Sequence, residues 1–186
     1  KIDKIIKQNY TTIFIPEKVR IPDQFNENLK NWLFEGGTLV RFAGEELINK
    51  KSYFLPNQNT FGRIRYLEGQ LTLNNKLFIS TFKKESIFYG IKIPQDIIIN
   101  KQLIFDTNSE QVNVLAKLSD NTPLISMKKF GKGEIIFFHI GANNDWSNLP
   151  ISSLFPDIIN RVLLFSKNYN SSNLNNLNLN KEVDGY

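Results

Sequence analysis

Two short strands joined by one amphipathic helix constrain this chain more than any other feature. Thr11 to Ile15 is rich in β-branched and aromatic residues and stops at Pro16, which reads as a short buried strand. Pro22-Asp23 then opens a helix, with Asp23 as its cap, in which Phe25, Leu29, Trp32 and Leu33 fall at i, i+4, i+7 and i+8. That spacing turns a single apolar stripe toward a sheet. Gly36-Gly37 ends the helix, because glycine takes the left-handed conformation past a last turn at little cost. Thr38 to Phe42 follows as a second strand, closed by Ala43-Gly44. A strand, a striped helix and a strand form the crossover unit of a parallel sheet covered by helices, so the expected class is α/β.

The remaining segments extend that sheet. Ile2, Ile5 and Ile6 suggest the last turns of a helix, and a chain that begins at Lys1 reads as a piece of a longer protein. Residues 52–94 change texture to short alternating runs and are expected to form an irregular, β-rich insertion. Asp96 to Ile99 and Gln102 to Phe105 continue the strand-like texture. Val112, Val114, Ala116 and Leu118 alternate with polar neighbours as a half-buried strand does, and Pro123 to Phe130 is its hairpin partner across Asp120-Asn121. After the turn Gly131-Lys132-Gly133, the continuous run Ile135 to Phe138 suits a strand buried on both faces. A last helix is expected from about Pro150 to Ser166, with Pro156 in its first turns. The domain then spans 1–167, and 168–186 is an asparagine-rich tail or linker.

Composition narrows the chemistry. The chain has 186 residues, enough for one self-supporting core, and 41% of them are hydrophobic. Its charge of +5 is scattered in short pairs such as Lys50-Lys51, Lys83-Lys84 and Lys128-Lys129, so no basic arm points to nucleic acid. Zero cysteines exclude disulfides, thiolate metal sites and cysteine nucleophiles together. No apolar stretch reaches the roughly 18 residues that span a bilayer.

Three segments carry a resemblance to a known family: Thr38 to Gly44 (TLVRFAG), Leu118 to Leu124 (LSDNTPL) and Gly131 to Leu164, with Asp145-Trp146-Ser147-Asn148-Leu149-Pro150 as the most specific piece. They resemble the glutamine-amidotransferase-like domain of bacterial membrane proteins related to the aerotolerance (Bat) proteins. In that family a double-transmembrane region and a von Willebrand factor A-type domain precede it. The resemblance implies a flavodoxin-like parallel sheet flanked by helices, with the β-rich insertion and an antiparallel hairpin extension. It also implies a membrane-anchored bacterial protein, on the periplasmic rather than the cytoplasmic side, whose membrane contact lies outside this chain. Its implied partners are the protein's own upstream domains, other envelope proteins and an ATPase of the MoxR type.

Amidotransferase chemistry needs a cysteine on a strand-to-helix turn, and none exists here. A serine substitute in a G-x-S-x-G elbow is not in evidence after Gly44. His139 is the sole histidine, metal-ligand spacings are missing, and Asp145-Trp146-Ser147 departs from the von Willebrand metal motif at Leu149. Gly36-Gly37 follows a helix instead of opening one, so no phosphate loop is present and no cofactor is expected. In open parallel sheets, ligands sit beyond the carboxyl ends of strands. That rule makes Glu17, Lys18, Gly44, Glu45, His139, Asn143, Asn144, Asp145 and Trp146 the candidate crevice. The expected function is a non-catalytic interaction or ligand-binding domain that has lost its nucleophile. The alternative is a hydrolase-like enzyme working around His139 and Asp145.

Overall fold

The computed structural model describes residues 10–16, 18–19, 21–48, 54–55, 62–67, 77–105 and 112–167. The helical turns expected over Ile2 to Ile6, the tail 168–186 and much of 52–76 lie outside the described residues. In chain order the elements are β1 (Thr12–Ile15), α1 (Asn26–Phe34), β2 (Thr38–Phe42), β3 (Arg63–Tyr66), β4 (Lys101–Ile104), β5 (Val112–Lys117), β6 (Pro123–Phe130), β7 (Gly133–Phe138) and α2 (154–167).

Five strands make one sheet in the order β1-β2-β7-β6-β5, and β3 pairs with β4 in a separate two-stranded ribbon. The β1-β2 and β2-β7 pairs are parallel, whereas β7-β6 and β6-β5 are antiparallel. The expected flavodoxin-like, helix-flanked parallel sheet is therefore corrected to a mixed sheet. The reason lies in what hydrophobic runs encode. Ile135 to Phe138 are all buried, as expected of a central strand, but burial on two faces reports only that both faces are covered. It is silent on the direction of each neighbour, and β7 has a parallel partner on one side and an antiparallel one on the other.

Coverage of the sheet differs as well. On one face α2 lays Leu154, Ile158 and Val162 over Val40, Phe42, Ile136 and Phe138. These α2 side chains are fully buried, each contributing roughly 1.5–3 kcal/mol. Ser166 then closes the helix against the sheet edge, accepting from the Thr12 hydroxyl at 2.8 Å. On the other face α1 covers only one end, where Leu29, Trp32 and Leu33 pack on Ile15, Leu39 and Ile135. The opposite end of that face is covered by chain from 77–105 instead of a helix, with Leu103 and Phe105 in the same core as Phe137.

Local capping also departs from expectation. Asp23 lies inside a 3-10 turn, Asp23–Phe25, and α1 starts behind it without a side-chain cap. Trp32 instead secures α1 by donating its indole N–H to the Tyr10 carbonyl at 3.1 Å. Helix α2 is entered through the 3-10 turn Leu149–Ile151 and Ser152, whose hydroxyl donates to the Leu149 carbonyl at 2.7 Å. Neither Asp145 nor Ser147 caps it.

The tightest backbone approach joins α1 to β7. The Lys132 and Glu134 amides donate to the Phe34 and Gly37 carbonyls at 2.9 and 3.1 Å. Between them, a Cβ added at Gly133 would strike the carbonyl oxygens of Leu33 and Gly37. Backbone cannot yield as a flexible side chain does, so Gly133→Ala should separate the helix end from β7. A loss of about 2–4 kcal/mol in urea-induced unfolding is expected, against less than about 0.5 kcal/mol for an alanine at exposed Lys132.

Candidate functional site

The carboxyl ends of β1, β2 and β7 all point the same way, and the structure assembles most of the expected crevice residues there. Glu17 lies outside the described residues. Lys18 is exposed in the turn after β1, Gly44 is buried, and exposed Glu45 meets Lys101 at 3.4 Å. His139, Asn143, Asn144, Asp145 and Trp146 follow β7 directly. This end is nevertheless occupied by the protein's own chain. Residues 96–104 cross it and bond to the 139–148 stretch almost residue by residue.

The clamp is made of backbone and amide groups. The Trp146 carbonyl accepts from the Asn100 and Lys101 amides at 2.8 and 3.1 Å, and the Asn144 carbonyl accepts from the Asn100 side chain at 3.3 Å. Asn148, not among the expected crevice residues, bonds on both sides. Its Oδ1 accepts from the Ile98 amide and its Nδ2 donates to the Asp96 carbonyl, at 2.7 and 2.8 Å. The Asn143 Oδ1 accepts from the Asp145 amide at 3.0 Å, turning the loop, and Trp146 is buried with its ring against Gly141. Asp145 itself stays exposed.

His139 sits at the centre of this closure. Its ring is 0% exposed, as is Ser126 on the neighbouring strand β6. His139 Nδ1 and the Leu103 carbonyl are 2.8 Å apart, and only a protonated Nδ1 can donate to a carbonyl. Nε2 is then the acceptor for the Ser126 hydroxyl at 2.9 Å. The Leu103 amide donates back to the His139 carbonyl at 2.7 Å, so β4 and the end of β7 are tied twice. Phe137 and Phe105 stand edge-on to the ring, with centroids at 5.1 and 6.0 Å. Burial lowers its pKa from 6.5 to about 4, against the Leu103 bond that raises it.

A hydroxyl, an imidazole and a carbonyl that orients the imidazole reproduce the spacing of an activated nucleophile. Two features oppose that use. Neither side chain touches solvent, and an imidazole pushed this low is a weak base near neutral pH. The dyad is suited to satisfying buried polar atoms.

A second polar chain fastens the ribbon to the β5-β6 turn. Gln102, fully buried on β4, donates to Thr122 Oγ1 at 3.0 Å and to the Pro123 carbonyl at 2.8 Å. Thr122 donates in turn to Asp120 at 2.7 Å, and Asp120 pairs with Arg65 on β3. Burial pushes the Asp120 carboxyl up, but the Thr122 and Arg65 bonds outweigh it and hold the group below its ordinary value. Elsewhere, an open hollow of about 340 Å³ lies between Lys83, Ser86, Asn113 and Lys117. The Ser86 hydroxyl there is already committed to the Leu115 carbonyl at 2.7 Å.

Residues missed by sequence reasoning are Ser126, Gln102, Asn148 and Arg41. Ser126 and Arg41 did carry a signal: each is a polar residue between apolar neighbours in a buried stretch of strand. Arg41, on β2, is 6% exposed, and its guanidinium is lowered to about 10 by burial, with Glu46 opposing from a distance. Glu134, 2% exposed at the start of β7, has no hydrogen bond to its Oε2 among the described residues, and burial raises it from 4.5 to about 7 against the pull of Lys129.

His139 and Glu134 give opposite pH dependences. The folded state binds a proton at Glu134 more tightly than the unfolded chain does, so its contribution is full below pH 4.5 and fades as pH rises through about 7. The folded state binds a proton at His139 less tightly, so its contribution is full above pH 6.5 and fades as pH falls through about 4. Stability should therefore be nearly level between pH 4.5 and 6.5. Glu134→Gln should expose a rise toward high pH in that window of up to about 1.4 kcal/mol per unit, measured by urea titrations at stepped pH. Separately, Ser126→Ala should cost about 1–3 kcal/mol by stranding Nε2.

No protein-family model matches this sequence, and no curated protein matches it. Solved structures do. Cytoplasmic protein STM3548 from Salmonella typhimurium superposes with a TM-score of 0.59 at 15% identity, over 89% of this chain and 74% of that one. A β-galactosidase from Rahnella sp. R3 superposes with a TM-score of 0.55 at 14% identity, over 86% of this chain and 23% of that one. This chain thus spans under a quarter of the β-galactosidase. At such identities the likeness is one of fold. The structural likeness is to a cytoplasmic protein and to part of a β-galactosidase, which corrects the expectation of an amidotransferase-like, flavodoxin-like, membrane-associated protein. Among the described residues no helix is long and apolar enough to cross a membrane. What the chain shares with these proteins is a mixed, strand-rich fold.

Proposed function

We propose that this domain is a non-catalytic module that binds a ligand or protein partner through its surface. The observation that supports it is the sealed end of the sheet, where the sole histidine is fully buried and spends both ring nitrogens on Ser126 and Leu103. A catalytic imidazole must meet substrate, and this one meets the protein's own strand β4. The hydrolase alternative asks His139 and Asp145 to converge, but one is enclosed and the other exposed.

Surface features agree with a binding role. Ile98 and Ile151, 49% and 74% exposed, flank Asn148 at the closed end, and both of their amides bond to it. Exposed isoleucines this close together give a partner an apolar foothold. Kinship with the Bat-related proteins is proposed on sequence alone.

A fluorophosphonate probe followed by peptide mass mapping tests the reading. Ser126 should stay unlabelled in the folded protein and react no faster than other serines after denaturation. Stoichiometric labelling of folded protein at Ser126, abolished by His139→Gln, would sink it.

A further inference from the structure

β5 is an edge of the five-stranded sheet, and chain from 78–86 bonds to it from Leu115 onward. The Lys117 carbonyl accepts from the Ser80 amide at 2.9 Å, the Leu115 carbonyl accepts from the Ser86 hydroxyl at 2.7 Å, and Ile79 bridges to Leu118. Between the two segments lies the open hollow of about 340 Å³. Lys83, Glu85 and Ser86 line it from one side, and Asn113, Val114 and Lys117 from the other.

Both walls are held in place. The Ser86 amide donates to the Lys83 carbonyl at 3.0 Å and closes a turn, while Phe82 and Phe88, buried on either side of that turn, pack with ring centroids 5.5 Å apart. On the other wall, register shifts interrupt β5 between Val114 and Ala116 and between Ala116 and Lys117. Such irregularities bend an edge strand and re-aim its side chains. Neighbours on a regular strand face opposite ways, yet Asn113 and Val114 line one hollow together with Lys117. Two lysines thus flank the hollow from fixed backbone, and among the described residues neither forms an ion pair with Glu85 or any other carboxylate.

The lining selects for polar, anionic matter. Each lysine brings a compact charge with three donors, Asn113 adds an amide, and Val114 is the one apolar side chain among the lining residues. A phosphomonoester, at about −1.5 to −2 charge near neutral pH, can engage both ammonium groups and still be attracted against Glu85. A monocarboxylate has only one charge to set against the same pair. A phosphate group fills only part of the hollow and leaves the remainder for a polar body. We propose that this hollow binds a small polar molecule through its phosphomonoester group, with Lys83 and Lys117 holding the phosphate and Asn113 donating to it. This deepens the reading of the domain as a binding module and rests on it.

The test titrates sodium phosphate, glycerol phosphate, sodium acetate and glycerol into the isotopically labelled full chain at low salt, following the backbone amides of 83–86 and 113–117 by NMR. Phosphate should shift both groups of amides together and saturate, with a dissociation constant on the order of a few millimolar. Glycerol phosphate should bind at least as tightly, since its body enters the rest of the hollow. Acetate should bind at least about fivefold more weakly and glycerol should cause no shift. Lys83→Met and Lys117→Met, which keep the apolar stem, should each weaken phosphate binding at least about fivefold. Glu85→Gln should tighten it about threefold by removing a like charge, a gain that damage to the fold cannot produce. Lys132→Met, at an exposed lysine outside the hollow, should leave it unchanged. No saturable shift, acetate as tight as phosphate, glycerol phosphate weaker than phosphate, or no tightening in Glu85→Gln would each overturn the proposal. So would equal weakening by Lys132→Met, because phosphate would then be answering the diffuse positive charge of the chain. None of these results bears on whether Ser126 is reactive, so this proposal and the reading beneath it fail separately.

Discussion

The two hydrogen bonds of the His139 ring, one to the Leu103 carbonyl and one from the Ser126 hydroxyl, hold the rest of the sheet end in place. They lock one tautomer, and with the return bond from the Leu103 amide they fix β4 across the end of β7. Once β4 is fixed, Gln102 can reach Thr122 and Pro123, and the Asn100 and Lys101 amides can reach Trp146. A buried network is stable only when each member is satisfied. Here the members come from β4, β6, β7 and the loop after it, so the closure is shared across distant parts of the sequence.

The price of this arrangement is visible in the groups it leaves over. Among the described residues, Glu134 Oε2 and the Ser147 hydroxyl are buried without a hydrogen-bond partner. Glu134 resolves its position by holding a proton near neutral pH, which desolvation favours for a carboxyl. Arg41, buried on β2, keeps its charge instead, since burial lowers its guanidinium only to about 10 with Glu46 opposing. The two ends of the parallel strands thus differ: one carries an acid whose ionisation burial opposes, and the other carries a charge.

A fold shared at about 15% identity with proteins of other lengths fits this picture. Many residue combinations can supply the same pattern of buried faces along a sheet, so a fold can persist while the sequence diverges. The site chemistry is not carried by that pattern, because fold and function separate at this level of likeness.

Local structure was largely legible in the sequence. The stripe Leu29, Trp32 and Leu33 marked α1, Asp120-Asn121 and Gly131 marked the turns that bound β6, and Asn121 and Gly131 do take positive φ of 67° and 62°. The unbroken run Ile135 to Phe138 placed β7 at the centre. The class of sheet was not legible, because periodicity records which faces are buried and not which way a neighbouring strand runs. The crevice was legible as a place and illegible as a state. Strand ends indicated where His139 and 143–146 would gather, but only the folded chain could bring Leu103 and Ser126, 36 and 13 residues away, to the imidazole and so decide that it is enclosed. Composition alone settled the absence of any thiol. Whether a buried arginine or glutamate has a partner depends on contacts between segments far apart in sequence, and those exist only once the tertiary structure has formed.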